Sequence, residues 1–405
     1  MLFAKRSIVM NFDVLKYIGS GAKMMSLLPL NFLLGKAKGD YPIRTNAAWD
    51  EEKDDILERA NWLCEQVIKT PEELIADVPS MIGEEYQGEW AIYSCSMLAH
   101  ALANISKLYP NEASKCPELI AKLIDIVNTP AMRKYDTMQW KEDAMDSLDG
   151  KKSHMTYLSI LAWMISNFKM IGGDDRYDEI FHKLCATLVR RMHESKYDLN
   201  LLSFPRKQIW LPDMLVAIVA LKNYSRLYNG KYNDTVTAWL INAKTKWIHK
   251  QTGLLAGMLP GESRYQKGIA IRGSHTALIC SYLTMVDADF ARDQYVRMKK
   301  VFYHETDILG THIIGLKEYQ RKLPNFSMKA GDAGLIIKGI SAGAMAFAPG
   351  APTFFGDWEF RSQLLRTAEV ASGTKKEKGM RHYNMADMFL VGEATMLAMR
   401  TNINR

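Results

Sequence analysis

The stretch ISNFKMIGGDDRYDEIFHKL (165–184) decides how the chain is read. Apolar residues at helical spacing run into a Gly-Gly-Asp-Asp turn, and a second helical pattern opens on Tyr177 directly after it. The design returns in LKNYSRLYNGKYNDTVTAWL (221–240) and YLTMVDADFARDQYVRM (282–298), and more loosely in KLYPNEASKCPELIAKL (107–123) and FAPGAPTFFGDWEFRSQLL (347–365). Helical hairpins repeated without intervening strands predict an all-α array. About six of them close into an (α/α)6 barrel, a toroid whose central funnel receives the starts of the inner helices.

A chain of 405 residues is long for one core, but a toroid escapes that bound because each hairpin packs only on its neighbours. The 24 Met and 9 Trp suit either curved helix layers or an apolar pocket. The net charge of +7 fits an anionic ligand or surface, yet no basic run with interleaved aromatics and no zinc-finger spacing points to nucleic acid. Cys64, Cys95, Cys116, Cys185 and Cys280 are odd in number and widely spaced, which argues against a disulfide framework and for a reducing compartment. The chain shows no metal-ligand cluster and no cofactor motif.

Residues 1–45 read as an N-terminal arm ahead of a barrel domain at 46–405. MMSLLPLNFLL (24–34) is too short to span a bilayer, and Lys16, Lys23, Lys36 and Lys38 flank it. It predicts a packed arm or an interfacial anchor, so the expected location is the cytoplasm or the inner face of a membrane. GDYPIRTN (39–46) reads as the linker.

Helices are predicted near 48–69, 71–80, 88–106, 115–128, 138–148, 153–169, 176–194, 213–228, 231–250, 274–286, 288–304, 332–346, 356–372 and 382–400. GTHIIGLKEY (310–319) reads as a short β-hairpin, and 255–273 and 348–356 read as loops.

Several inner helices open on a polar residue: His154 after Ser153, Asp213 after Pro212, Ser274 and His275 after Arg272-Gly273, and Asp332 in KAGDAGLIIKGI. Each of these Asp and Ser residues is also a good N-cap. If the helix starts converge, their dipoles favour an anion or an oxyanion there. Any pair among Asp213, Glu262, Glu318 and Asp332 could then carry acid–base work, with His154 as a relay through its acidic neighbours. Arg206, Arg272 and Arg381, with Trp210, Tyr265, Glu318, Tyr319 and Tyr383, are the candidate substrate-binding residues, and Arg264 is a further arginine on the same loops.

KKSHMTYLSILAWMISNFKMIGGDDRYDEIFHKL (151–184), YSRLYNGKYNDTVTAWLINAKTKWIHKQTGLL (224–255) and, more weakly, EWAIYSCSMLAHALANISKLYP (89–110) resemble the linalool dehydratase-isomerase family in the spacing of helices and turns. The resemblance implies an (α/α)6 barrel and an enzyme ancestry, and it places the family's active-site His at His154. The family's two cysteines fall on the loop LLSFPRKQIWLPD (201–213), where this chain has Ser203 and Pro212.

The expected function is acid–base chemistry on C–O bonds of a small organic or sugar-like substrate, in the manner of a dehydratase or isomerase. The alternatives are a glycoside hydrolase or polysaccharide lyase with paired carboxylates, and a non-catalytic scaffold or membrane-peripheral binding protein. A homo-oligomer is compatible with all of them.

Overall fold

Two kinds of helix alternate along the chain. The computed structural model describes residues 41–404 except 79–83, 206–207, 263–269, 309, 322–325, 328–335 and 388. In chain order the helices are α1 Trp49–Val67, α2 Pro71–Ala76, α3 Glu84–Leu108, α4 Cys116–Val127, α5 Pro130–Trp140, α6 Met155–Met170, α7 Asp178–Glu194 and α8 Leu211–Leu227. They continue with α9 Asn233–Thr245, α10 Gly273–Leu283, α11 Ala288–Phe302, α12 Ala342–Phe347, α13 Gly350–Phe355, α14 Trp358–Ser372 and α15 Leu390–Arg400.

One kind is buried on all sides. Every residue of α6 from Met155 to Phe168 is buried, as is every residue of α10. The other kind buries a single stripe: α7 hides Phe181, Leu184, Cys185, Leu188 and Met192 and shows its charged residues to solvent. The first kind forms an inner ring. α3 packs on α6, α6 on α8, α8 on α10, α10 on α12 and α13, these on α15, and α15 on α3. The second kind lies outside: α4 against α3 and α6, α7 against α6 and α8, α9 against α8, α11 against α10, α14 against α13, and α1 against α3 and α15. The protein is therefore mostly helical, as the repeated hairpins predict. Trp163 and Tyr282 meet edge to face at 5.5 Å, both fully buried, and fill the interior of the ring.

Each tight hairpin reverses the chain, so the inner helices run the same way. The connections leaving them are short, at 171–177, 228–232, 284–287 and 356–357. Gly230, at φ +77, turns one of them. The connections entering them are long, at 128–154, 195–210, 246–272, 303–341 and 373–389. One end of the ring thus carries the amino ends of the inner helices and nearly all the irregular chain.

Short sheets brace that end. β1 (Ile209–Trp210) pairs antiparallel with β2 (Met258–Leu259), with Ile209 opposite Leu259. β3 (Tyr303–Ile308) and β4 (Thr311–Leu316) form a hairpin through Gly310, with Tyr303 opposite Leu316. β5 (Phe326–Ser327), β6 (Ile336–Ile337) and β7 (Ile340–Ser341) form a small meander, and β8 (Thr374–Glu377) pairs with β9 (Met380–Tyr383).

Four predicted elements are corrected. The helix expected over 138–148 ends at Trp140, where Lys141 takes a left-handed conformation and Asp143 accepts from the backbone of Met145 and Asp146. Within the span predicted as a helix over 332–346, residues 336–341 form β6 and β7, and the helix starts only at Ala342. The helix expected from 382 starts at Leu390, because Tyr383 is still paired in β9. The loop expected over 348–356 contains α13.

The arm expected over 1–45 lies outside the described residues up to residue 40. Its last part packs on the ring: the Arg44 backbone N–H donates to Ser362 Oγ at 3.2 Å, and Tyr41 lies against Leu365. Among the described residues no helix is long and apolar enough to cross a membrane.

Candidate active site

Asp213 stands at the loop-bearing end of the ring. It is not an N-cap. Trp210 holds the cap position of α8 and makes no side-chain cap bond, which leaves the Asp213 carboxyl one turn in and free to reach across to other helices. Tyr93 Oη donates to Asp213 Oδ1 at 2.9 Å from α3, and Thr156 Oγ1 donates to Oδ2 at 3.2 Å from α6. Ser203, whose hydroxyl accepts from the Trp210 backbone N–H at 3.0 Å, also acts to lower the Asp213 carboxyl. Asp213 is 4% exposed. Burial pushes its carboxyl up from 3.8, against the lowering effect of these donors and of His275. A hydroxyl accepts as readily as it donates, so the same partners hold either protonation state.

Aromatic residues rim this carboxyl. Tyr86, Trp90 and Tyr93 recur at helical spacing on the first turns of α3, and all three are partly exposed. Phe204 meets Trp210 edge to face at 5.4 Å and Tyr86 at 6.2 Å. Trp210 lies 5.4 Å from the His275 ring. The β1–β2 pair fixes that contact, and a Cβ on Gly257 would come within 2.7 Å of His275 Nδ1.

Glu89 is one helical turn before Tyr93 and is buried. The Tyr93 phenol is pushed well above its ordinary range by burial first and then by the charge of Asp213, with Glu89 adding in the same sense. Both carboxyls therefore act on Tyr93, and Asp213 is the one it bonds. Glu89, Tyr93, Tyr135 and Tyr282 are not among the residues that the sequence pattern points to. The one available signal was the aromatic and acidic row at the start of α3, which reads equally as core.

His154 forms a second cluster. It takes a left-handed conformation at φ 45 and is fully buried. Nδ1 lies 2.5 Å from Asp136 Oδ2 and Nε2 lies 3.2 Å from Glu142 Oε1. Both ring nitrogens are occupied by carboxylates, an arrangement that pins the 141–154 connection onto the ring.

The remaining candidates go elsewhere. Glu318 is fully buried and caps α10: it accepts from Arg272 Nε at 2.6 Å, Ser274 Oγ at 2.9 Å and the Ser274 N–H at 3.2 Å. Ser274, expected as that cap, is capped instead. Tyr319 lies 5.9 Å from the Arg272 guanidinium. Glu262 is a surface residue bound by Lys196 at 3.0 Å and Tyr197 at 3.2 Å. Arg381 pairs with Asp55 at 3.4 Å and with Glu58, and the Tyr383 ring lies under Arg59 at 4.1 Å, so both belong to the α1–α15 seam. Asp332, Arg206, Arg264 and Tyr265 fall outside the described residues.

At the opposite end of the ring a shallow depression is lined by Met170, Asn223, Arg226, Met285, Phe354 and Ile403 among others. No carboxylate, histidine or cysteine lines it. Among the described residues no group of acidic, His and Cys side chains could hold a metal ion.

No family model matches the chain, and no curated protein matches it. The resemblance to linalool dehydratase-isomerases finds no support there. Among solved structures, the crystal structure of a family 76 glycoside hydrolase from a bovine Bacteroides thetaiotaomicron strain is similar over 75% of this chain and 68% of its own. The identity is 11% and the TM-score 0.40. That likeness bears on neither substrate nor mechanism.

Proposed function

We propose that the ring is an (α/α)6 barrel and that the protein is a glycoside hydrolase-like enzyme, acting on C–O bonds of a carbohydrate at its loop-bearing end. The observation that carries this reading is Asp213: a buried carboxyl with a raised pKa, held by hydroxyls from two neighbouring helices and rimmed by partly exposed Tyr and Trp. A carboxyl kept neutral by burial is the form that protonates a leaving oxygen. Aromatic faces with polar edges suit the apolar faces and hydroxyl edges of a sugar ring.

In this scheme Asp213 gives its proton to the glycosidic oxygen as the C–O bond breaks. Glu89 takes a proton from the water that adds to the anomeric carbon. Tyr93 hydrogen-bonds the Asp213 carboxyl as its charge changes. A dehydratase or isomerase would need His154 to reach substrate, and Asp136 and Glu142 occupy both its nitrogens.

The test is hydrolysis of a panel of 4-nitrophenyl glycosides and unsubstituted oligosaccharides by the full chain and by Asp213→Asn and Glu89→Gln. Loss of turnover by on the order of 10²-fold or more in both variants, with melting temperatures no lower than that of the wild type, is expected. Wild-type rates in both would sink the carboxyl mechanism. Inertness of the intact protein toward every glycoside would return the scaffold reading.

A further inference from the structure

The positive charge of the chain is not spread evenly. In the sequence, the three successive connections that enter α8, α10 and α12, at 195–210, 246–272 and 303–341, hold 13 Lys and Arg against 6 Asp and Glu. That excess equals the net charge of +7 for the whole chain, so the rest of the sequence is neutral. All three connections belong to the loop-bearing end that carries Asp213. A field of one sign favours a substrate of the opposite sign.

Two guanidiniums in this field lie over one ring. Tyr319 is partly exposed, with Arg272 5.9 Å and Arg321 5.6 Å from its centre. The two arginines differ. Arg272 is buried and donates from Nε to Glu318 at 2.6 Å, while the Gly273 N–H donates to the Glu318 carbonyl at 2.9 Å, so the segment carrying Tyr319 is fixed on the start of α10. Arg321 is exposed and makes no ion pair among the described residues. Glu318, the nearest acid in sequence, is already neutralised by Arg272.

This stack sits one helix start away from Asp213. Asp213 is in the first turn of α8, and Arg272 holds the cap position of α10, the helix packed against α8. The two starts meet where Trp210, the α8 cap, lies 5.4 Å from the His275 ring in the first turn of α10.

We propose that Arg321, held on Tyr319, receives the carboxylate of a uronate unit next to the unit at Asp213, and that the protein acts on acidic carbohydrates. A guanidinium presents parallel N–H donors that match a carboxylate, and an exposed one meets it without an enclosed cavity. The Tyr319 ring offers a surface to the apolar face of the same sugar unit. Arg321 stands away from the breaking bond, so it sets which substrate is taken and not how the bond is cleaved. This inference rests on the carbohydrate reading above.

The experiment is calorimetric titration of the full chain with trisaccharides of D-galacturonate, D-glucuronate, D-mannuronate and L-guluronate, with their methyl esters, and with a sulfated galactose trisaccharide, repeated on Arg321→Gln. At least one uronate should bind about tenfold more tightly than its ester. Arg321→Gln should close that gap with the melting temperature unchanged, since the side chain is exposed. Binding of no uronate, equal binding of acid and ester, or an undiminished gap in Arg321→Gln would overturn the inference, and turnover of neutral glycosides would survive it. A sulfated sugar that binds as tightly and depends as much on Arg321 would also overturn it, by showing attraction of any anion in place of carboxylate recognition. Uronate binding that depends on Arg321, in a protein inert toward every glycoside and uronate oligosaccharide, would keep the acid site and remove the enzyme.

Discussion

Arg59 Nη1 lies 2.7 Å from Glu393 Oε1, and the two residues are 334 positions apart in the chain. Both are buried, and their contact joins α1 to α15, the first and last helices described. The same seam holds Arg361 on Glu52 at 2.8 and 2.7 Å, and Arg400 on Glu52 at 3.0 Å and Asp55 at 2.5 Å. The ring is closed by charge as well as by packing.

Breaking that pair from one side should be costly. Arg59→Met leaves Glu393 without its guanidinium in a buried seam, at about 3–5 kcal/mol, while Asp55 keeps Arg400. Adding Glu393→Gln should recover part of the loss, since no buried charge then lacks its partner. Urea unfolding of the single and double variants measures both, and a single variant as stable as the wild type would refute the seam's role.

Acid should open the seam. Against the cost of burial, Arg361 and Arg400 hold the Glu52 carboxyl down to about 2 from an ordinary 4.5. Its folded value is below its unfolded one, so its stabilisation is present above about 4.5 and is lost as pH falls toward 2. Asp55, also lowered by Arg400 and Arg59, acts in the same direction. The Glu52 share is on the order of 3 kcal/mol. Thermal melts from pH 6 to pH 3 should fall steeply in the wild type and less so in Glu52→Gln; parallel curves would refute this.

Asp213 carries the opposite sign. Burial raises its folded pKa, so the stability linked to its proton is present at low pH and lost as pH rises through that value. Asn cannot ionise, so Asp213→Asn should melt about 1 °C or more above the wild type at pH 8 and converge with it at low pH. A variant that melts lower at pH 8 would show that the charged form is the stable one.

Gly273 leaves no space for a side chain. A Cβ there would lie 1.8 Å from the Lys317 carbonyl oxygen, where the segment after β4 that carries Glu318 crosses the start of α10. Its N–H donates to the Glu318 carbonyl at 2.9 Å. Gly273→Ala should cost about 3 kcal/mol by forcing these backbones apart. Chemical denaturation reads the cost, and a loss below 1 kcal/mol would show that the crossing can shift.

The hairpins were legible because their signal is local. Gly172 and Gly230 mark turns between apolar stripes, and α6, α7, α8 and α9 start and stop within three residues of the predicted bounds except at the end of α9. The long connections were not, because distant partners shape them. Nothing near Lys317 in sequence says that Glu318 will cap a helix starting at Gly273. Nothing near Arg381 says that it will face Asp55 across 326 positions. Asp213 was legible as a polar residue at a helix start, but its partners Tyr93 and Thr156 lie 120 and 57 positions away. The closure of the ring brings them to it.

Because the beginning of α1 and the end of α15 touch through Glu52 and Arg400, the order of helices around the ring has no privileged starting point. A chain re-threaded to begin in the 228–232 turn, with its old ends joined by a linker, would meet the same neighbours at every helix. The seam would then become an ordinary internal hairpin. The ion pairs that now hold two chain ends together would hold a tethered pair, where they would matter least.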